Sequence, residues 1–209
     1  MPILPYCVAL TRPDTLPLKG VGQSEVHRLE QDSLTVLYSD VERSAISPKN
    51  FQQTAVEFHN VVHSVFANAG VVPFRFPTWL THAELAAHLR EESLRYCSFL
   101  TEHAEHVQME LRIIRASSDL PKASTSTGTE HLRARAAQVR RTHTAAQELK
   151  LLLSAEVIGW RERESPEGLR LYALVGRNRV ASFRERLSGC EHGVGLRWSG
   201  PWPATEFLD

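Results

Sequence analysis

The sequence has no excess of charge of either sign. Lys plus Arg and Asp plus Glu each number 24, so the formal net charge is zero with His neutral. A general nucleic-acid binder needs surplus cations to displace counterions from phosphates, so composition argues against that class. Weak repulsion between copies leaves self-association open. Cysteine is scarce: Cys7, Cys97 and Cys190 are odd in number, far apart and outside any CxxC spacing. That argues against a disulfide framework or a zinc knuckle and fits a reducing compartment. No apolar run approaches the roughly 18 residues that a membrane span requires. The apolar first ten residues are broken by Pro2 and Pro5 and lack a basic flank or small-residue cleavage pattern. The expectation is a soluble, cytoplasmic protein without a targeting segment.

What is present is strong periodicity. Residues 3–10 read as a strand whose prolines confine its start to an edge or terminus. A Pro-rich loop leads to the turn Gly20-Val21-Gly22, then to strands Glu25–Leu29 and Leu34–Tyr38, a hairpin about Glu30-Gln31-Asp32. Ser47-Pro48 signals a helix start, and Phe51, Ala55, Phe58, Val62, Val65 and Ala69 form one apolar stripe ended by Gly70. Residues 71–76 (Val-Val-Pro-Phe-Arg-Phe) read as a strand stopped by Pro77, and Thr81 with Glu84 has capping-box spacing for a second helix to about Thr101.

In the second half, Val107, Met109, Leu111 and Ile113 alternate with Gln108, Glu110 and Arg112, a strand with one wet face. Residues 116–129 read as a Ser/Thr-rich loop. A helix over 130–153 follows, striped by Leu132, Ala136, Val139, Ala146, Leu149 and Leu153. Strands Ala155–Arg161 and Leu169–Val175 meet across Ser165-Pro166-Glu167-Gly168. A helix over 177–188 buries Val180, Phe183 and Leu187, and the last strand is Gly193–Trp198. The order from Val107 is β-α-β-β-α-β, the ferredoxin-like arrangement. The expected fold is α+β in two domains: residues 1–103 as an α+β unit, and residues 104–209 as a ferredoxin-like domain with a C-terminal tail.

The tail Gly200-Pro201-Trp202-Pro203 carries one large aromatic between two residues of fixed φ and has no nucleophile, base or ligand. It suggests docking and packing more than chemistry. Trp202 has two open readings, an interface anchor or a plug for its own domain. Arg75, flanked by Phe74 and Phe76, reads as a structural arginine holding a carboxylate or helix end, with a partner-facing cation as the other reading. Thr78 reads as a cap or turn residue. His59 and His63 have the i,i+4 spacing that can chelate zinc, but no Glu follows His59 and no third ligand is tied to them. His103 and His106 read as a solvated connector, His143 as a packing histidine and Cys97 as a buried thiol. Gly20-Val21-Gly22 lacks the third glycine or basic residue of a phosphate loop. Arg133, Arg135, Arg140 and Arg141 read as a solvated helix face.

Several of these segments together resemble the gas vesicle protein L/F family (GvpL/GvpF). Gly20-Val21-Gly22, residues 26–30 and residues 34–41 are similar to that family's N-terminal hairpin. The segment Val71-Val72-Pro73-Phe74-Arg75-Phe76-Pro77-Thr78 resembles its V-L-P-x-R-F-G-T motif, with Pro77 in place of the glycine. Residues 171–175 followed by Val180-Ala181-Ser182-Phe183-Arg184 resemble its A-Y-L-V and V-x-x-F block. The ending Leu196-Arg197-Trp198-Ser199-Gly200-Pro201-Trp202-Pro203 resembles L-x-L-T-G-P-W-P, after which Ala204-Thr205-Glu206-Phe207 replaces the family's second proline and tyrosine.

The resemblance implies a cytoplasmic accessory protein for making gas vesicles, with no catalytic residue, metal or cofactor carried over. Its expected partners are the vesicle shell protein and other vesicle accessory proteins, with neither nucleic acid nor membrane. Arg75, Thr78, Gly200, Pro201, Trp202 and Pro203 are the candidate structural or partner-contact residues. The competing readings are a metal-dependent hydrolase using His59 and His63, and a ferredoxin-like RNA-binding module.

Overall fold

Strand β1 (Ile3–Ala9) is buried at all seven positions, which requires cover on both of its faces. In the computed structural model, which describes residues 2–10, 19–114, 128–189 and 195–209, β1 lies inside an antiparallel sheet of order β2-β3-β1-β4. β2 is His27–Gln31, β3 is Leu34–Asp40 and β4 is Val72–Pro73. Helix α1 (Phe51–Phe66) covers one face, with the Phe58 ring 5.2 Å from that of Tyr6. Tyr6 in turn donates to Ser39 Oγ on β3. The adjacent β3 residue, Tyr38, points the other way and meets His82 of helix α2 (His82–Glu102) at 5.2 Å. β3 and β4 are both antiparallel to β1, so α1 crosses between two parallel strands over the one between them, a split βαβ.

The second sheet has order β6-β7-β5-β8. Its elements run β5 (His106–Ile114), α3 (Gly128–Leu152), β6 (Val157–Ser165), β7 (Gly168–Gly176), α4 (Val180–Ser188) and β8 (Gly195–Trp202). All pairings are antiparallel, and with the β-α-β-β-α-β sequence this is the ferredoxin-like arrangement. Val107, Met109, Leu111 and Ile113 are buried on the inner face, where α3 packs on β5 and β7. Arg186 Nε of α4 lies 2.7 Å from the buried Glu156 carboxylate just after α3, pinning the two helices together. Residues divide into two units, Met1–Glu105 with Leu208, and His106–Phe207 with Asp209. The fold class is α+β.

Several details differ from the sequence expectation for physical reasons. Helix α1 starts at Phe51 rather than after Ser47, because Asn50 Oδ1 accepts from both Ser47 N–H and Ser47 Oγ and ties residues 47–50 into a turn. The strand expected over 71–76 is only Val72–Pro73 in extent. Pro73 has no N–H to continue a ladder, and Phe74 N–H makes one last bond to Tyr6 O before the chain turns. The buried side of α1 is Thr54, Phe58, Val61, Val62, Val65 and Phe66, and the buried side of α3 is Gln138, Thr142, Ala145, Ala146 and Leu149. Leu132 is 65% exposed, and His143 is also exposed, 3.7 Å from Glu164 of β6. The buried side of α3 mixes small and polar residues with apolar ones, so apolar spacing alone does not mark it. The last strand runs on to Trp202 instead of stopping at Trp198. The Thr81 capping box is present, with Glu84 N–H donating to Thr81 Oγ1 and Thr81 N–H to Glu84 Oε2. Hydrogen bonding to the Glu84 carboxylate from the Thr81 backbone N–H, and then from the Thr81 side chain, holds that carboxyl below its ordinary range. The Pro-rich segment over 11–18, the loop over 116–127, Cys190 and the expected strand start at 193–194 lie outside the described residues.

Candidate interaction face of the C-terminal sheet

Residues directly opposite one another in an antiparallel sheet point to the same side, so the register assigns the outer face rung by rung. Trp202 of β8 lies opposite Gln108 of β5, which opposes Leu174 of β7, which opposes Gly159 of β6. The next rung is Ser199, Glu110, Tyr172 and Arg161. The rung beyond holds four arginines in a row: Arg197, Arg112, Arg170 and Arg163.

The first rung is closed by the protein's own tail. Glu206 N–H donates to Gln108 Oε1 at 3.0 Å. The Phe207 ring lies 3.7 Å from where a Cβ on Gly159 would stand. Arg161 sits 5.8 Å over that ring and pairs with Asp209, while Arg163 pairs with Glu206 at 2.7 Å. The chain after β8 therefore folds back across its own sheet.

Gly200 makes the return possible. Its φ is +121°, and a Cβ would stand 2.9 Å from Gln108 O and 3.0 Å from Met109 Sδ. The pairing shifts register there, between Gln108 and Glu110, and the Gly200–Pro201 peptide is cis. Arg184 of α4 donates from a terminal guanidinium nitrogen to Gly200 O at 2.7 Å, and its guanidinium lies 5.8 Å from the Trp198 ring. The Phe183-Arg184 and Gly200-Pro201-Trp202 segments, distant in sequence, are thus joined by one hydrogen bond. Trp202 is half-buried, and its indole N–H donates to Ser199 Oγ at 3.1 Å. Pro201 and Pro203 are half-buried beside it, and Ala204 is buried.

Glu110 organises the middle of the face. It is 8% exposed, and its two carboxylate oxygens accept from Arg112 Nε at 2.8 Å and from a terminal Arg112 nitrogen at 3.2 Å. Ser199 Oγ donates to the same carboxylate at 3.5 Å, and Arg170 approaches it at 3.7 Å. Hydrogen bonding to Glu110, and its charge, push the Arg112 guanidinium pKa still higher. Arg197 is exposed and makes no ion pair among the described residues. A shallow depression lined by Arg112, Ser165, Glu167 and Arg170 borders this end of the sheet.

In the first unit, Arg75 is exposed and forms no ion pair among the described residues, and Thr78 Oγ1 donates to Arg75 O at 2.5 Å, closing a turn around the cis Phe76–Pro77 peptide. Phe74 and Phe76 diverge, Phe74 toward His88 of α2 and Phe76 against Phe51 and Phe58 of α1. The segment thereby ties the two helices to the edge of the sheet. Gly20 stands at the N-cap of a 3-10 turn over Val21–Gln23. Val21 N–H donates to Tyr6 Oη and Gly22 N–H to Glu57, and a Cβ on Gly20 would stand 2.2 Å from Tyr6 Oη.

The remaining candidates separate. His59 and His63 stand on the exposed side of α1 with ring centroids 5.7 Å apart. Partial burial, and His63 beside it, lower the pKa of His59. Among the described residues no cluster of three or more His, Cys, Asp or Glu side chains is placed to hold a metal. Cys97 is half-buried rather than buried, whereas Cys7 in β1 is buried and its thiol is pushed up to about 12 by desolvation. Among the described residues no helix is long and apolar enough to cross a membrane. Sequence reasoning missed Glu110, Arg184 and the arginine rung as functional candidates. The alternation of β5 placed Glu110 and Arg112 on one face, but the rung needs the register of four strands, which no single segment contains.

Two α+β units with this connectivity give the fold seen in solved gas vesicle GvpF proteins. The crystal structure of GvpF from Anabaena sp. PCC7120 superposes with a TM-score of 0.79 at 13% identity, covering 100% of this chain and 96% of that one. The crystal structure of GvpF from Microcystis aeruginosa gives 0.76 at 13% identity, covering 99% and 98%. No curated protein matches in sequence. The family model described as "Gas vesicle synthesis protein GvpL/GvpF" matches residues 3–209. The chain belongs to the GvpL/GvpF family, and with it to gas vesicle formation.

Proposed function

We propose that this protein is a non-enzymatic accessory factor in gas vesicle formation, working in the cytoplasm by binding the shell protein or other vesicle proteins. The family match over residues 3–209 carries this reading, because it spans both units and not one borrowed module. The geometry favours binding over chemistry. The distinctive polar side chains of the tail region, Arg184, Ser199, Glu110 and Trp202, hydrogen-bond one another or the backbone. They fix the shape of a surface. Gly200, Pro201, Trp202 and Pro203 serve as the support of that surface, and Arg75 with Thr78 is a second, smaller candidate contact on the first unit.

The test is deletion of the gene in a vesicle-forming host, with electron microscopy of the cells, and co-purification of vesicle components on a tagged copy. The expected result is loss or malformation of vesicles and recovery of a vesicle protein with the tag. Normal vesicles in the deletion strain, with no vesicle component recovered, would sink the proposal.

A further inference from the structure

We infer that the arginine rung Arg197-Arg112-Arg170-Arg163 is a docking site for an acidic helix of another vesicle component, laid across the strands of the second sheet. This rests on the reading that the protein acts by binding such components, and adds where and by what chemistry.

Like charges directly opposite one another on a sheet are destabilising. Here four cations stand side by side across every strand of one sheet. Their compensation within the unit is partial. Glu110 is committed to Arg112 through two hydrogen bonds and reaches Arg170 only at 3.7 Å. Glu206 serves Arg163, and Arg197 has no carboxylate among the described residues. The formal neutrality of the chain also hides an asymmetry. Residues 106–209 hold sixteen Lys and Arg against twelve Asp and Glu, and residues 1–105 hold eight against twelve. The rung places four of those sixteen cations side by side on one face, and an anionic partner complements it.

Spacing selects the form of the partner. Strands lie about 4.8 Å apart, so the rung spans roughly 14 Å at right angles to the strands. A helix repeats one face every 5.4 Å, so carboxylates at i, i+4, i+7 and i+11 span roughly 16 Å, within the reach of four flexible arginines. An extended strand repeats a face about every 6.8 Å, and four contacts would overrun the rung by about 6 Å. Arginine forks suit carboxylates bidentately. Single-stranded nucleic acid is the weaker fit, because it needs open aromatic platforms for base stacking. On this face Tyr172 is buried and the Trp202 indole N–H is already bonded to Ser199.

The test uses the full chain and the double variant R170Q/R197Q, which leaves the Glu110–Arg112 pair intact. The probes are a labelled helical peptide with Glu at i, i+4, i+7 and i+11 on an Ala/Gln background, an isomer of the same composition with Glu spread around the helix, and an oligouridine RNA. The one-faced peptide is expected to bind at least tenfold more tightly than its isomer and than the RNA. The double variant is expected to weaken it at least tenfold without lowering the thermal midpoint. Equal binding of the two peptides, tighter binding of the RNA, or an unaffected double variant overturns the proposal. So does a variant that loses self-association of the pure protein yet keeps peptide binding, since the occupant is then a second copy. Complementation separates the two levels: a deletion strain without vesicles that R170Q/R197Q restores fully refutes the docking site alone, whereas a deletion strain with normal vesicles refutes the function itself.

Discussion

The two sheets share one strand order and differ in what covers them. In each, two strands run parallel on either side of a central one, and a helix crosses between them. The first sheet has α1 on one face and α2 on the other, and its strand β1 is buried throughout. The second has α3 on its inner face, while its outer face is closed at one end by residues 203–207 and carries arginines at the other. A doubly covered sheet is a support. A sheet left half open with a row of like charges retains a cost that binding can relieve, which is the reason the proposed docking site is sought on the second unit.

The largest expected effect comes from breaking the turn that partly covers the second sheet. Gly200→Ala forces a side chain into a φ of +121° and drives its Cβ to 2.9 Å from backbone Gln108 O. Strain and overpacking together are expected to cost about 3 kcal/mol, measured by denaturant unfolding. Gly20→Ala in the first sheet is the matched control. Its Cβ meets side-chain oxygens of Tyr6 and Ser39 rather than backbone, so the expected cost is smaller, about 1–2 kcal/mol. If Gly200→Ala is the milder of the two, the tail is not fixed by its turn.

Next in size is a pair of substitutions with opposite signs. Glu110→Gln removes the one buried carboxylate of the outer face and leaves Arg112 and Arg170 facing each other. A loss of about 1–2 kcal/mol is expected. Arg197→Gln removes a cation that opposes Arg112 and has no carboxylate partner among the described residues, and is expected to raise stability by a few tenths of a kcal/mol, up to about 0.5. Thermal unfolding of both variants decides it. Arg197→Gln lowering the midpoint would show that the rung is structural, and the contrast between a supporting and a binding sheet would fall.

Much of this was legible in the chain. The alternation of residues 107–113, the capping box at Thr81 and the hairpin about Ser165-Pro166-Glu167-Gly168 placed the β-α-β-β-α-β order, because each signal is local and one residue period decides it. The tail motif was readable as stiff for the same reason. What escaped was non-local. Arg184 looks like any helix-surface arginine until Gly200 O stands 2.7 Å away. The four arginines lie on four strands and become a rung only through register. On α3 the buried side is largely Gln138, Thr142, Ala145 and Ala146, small or polar residues whose helical periodicity is faint. Leucines such as Leu132 and Leu151, with a stronger apolar signal, are exposed.

The smallest perturbation is a chemical probe that leaves the fold intact. Cys7 lies in β1, in the doubly covered sheet, and burial pushes its thiol from an ordinary 9.0 to about 12. At pH 8 that leaves roughly a thousandfold less thiolate than an unshifted thiol would supply, and the thiolate is the reacting species. Alkylation of Cys7 therefore has to await opening of the first sheet, whereas half-buried Cys97 on α2 has no such barrier. Timed alkylation followed by mass spectrometry is expected to label Cys97 at once and Cys7 only as denaturant is added. Arg197→Gln, confined to the second unit, is expected to leave the Cys7 rate unchanged, and Gly20→Ala to raise it. Native-state labelling of Cys7 as fast as Cys97 would mean that the first sheet is not closed over β1, and its role as a doubly covered support would have no physical basis.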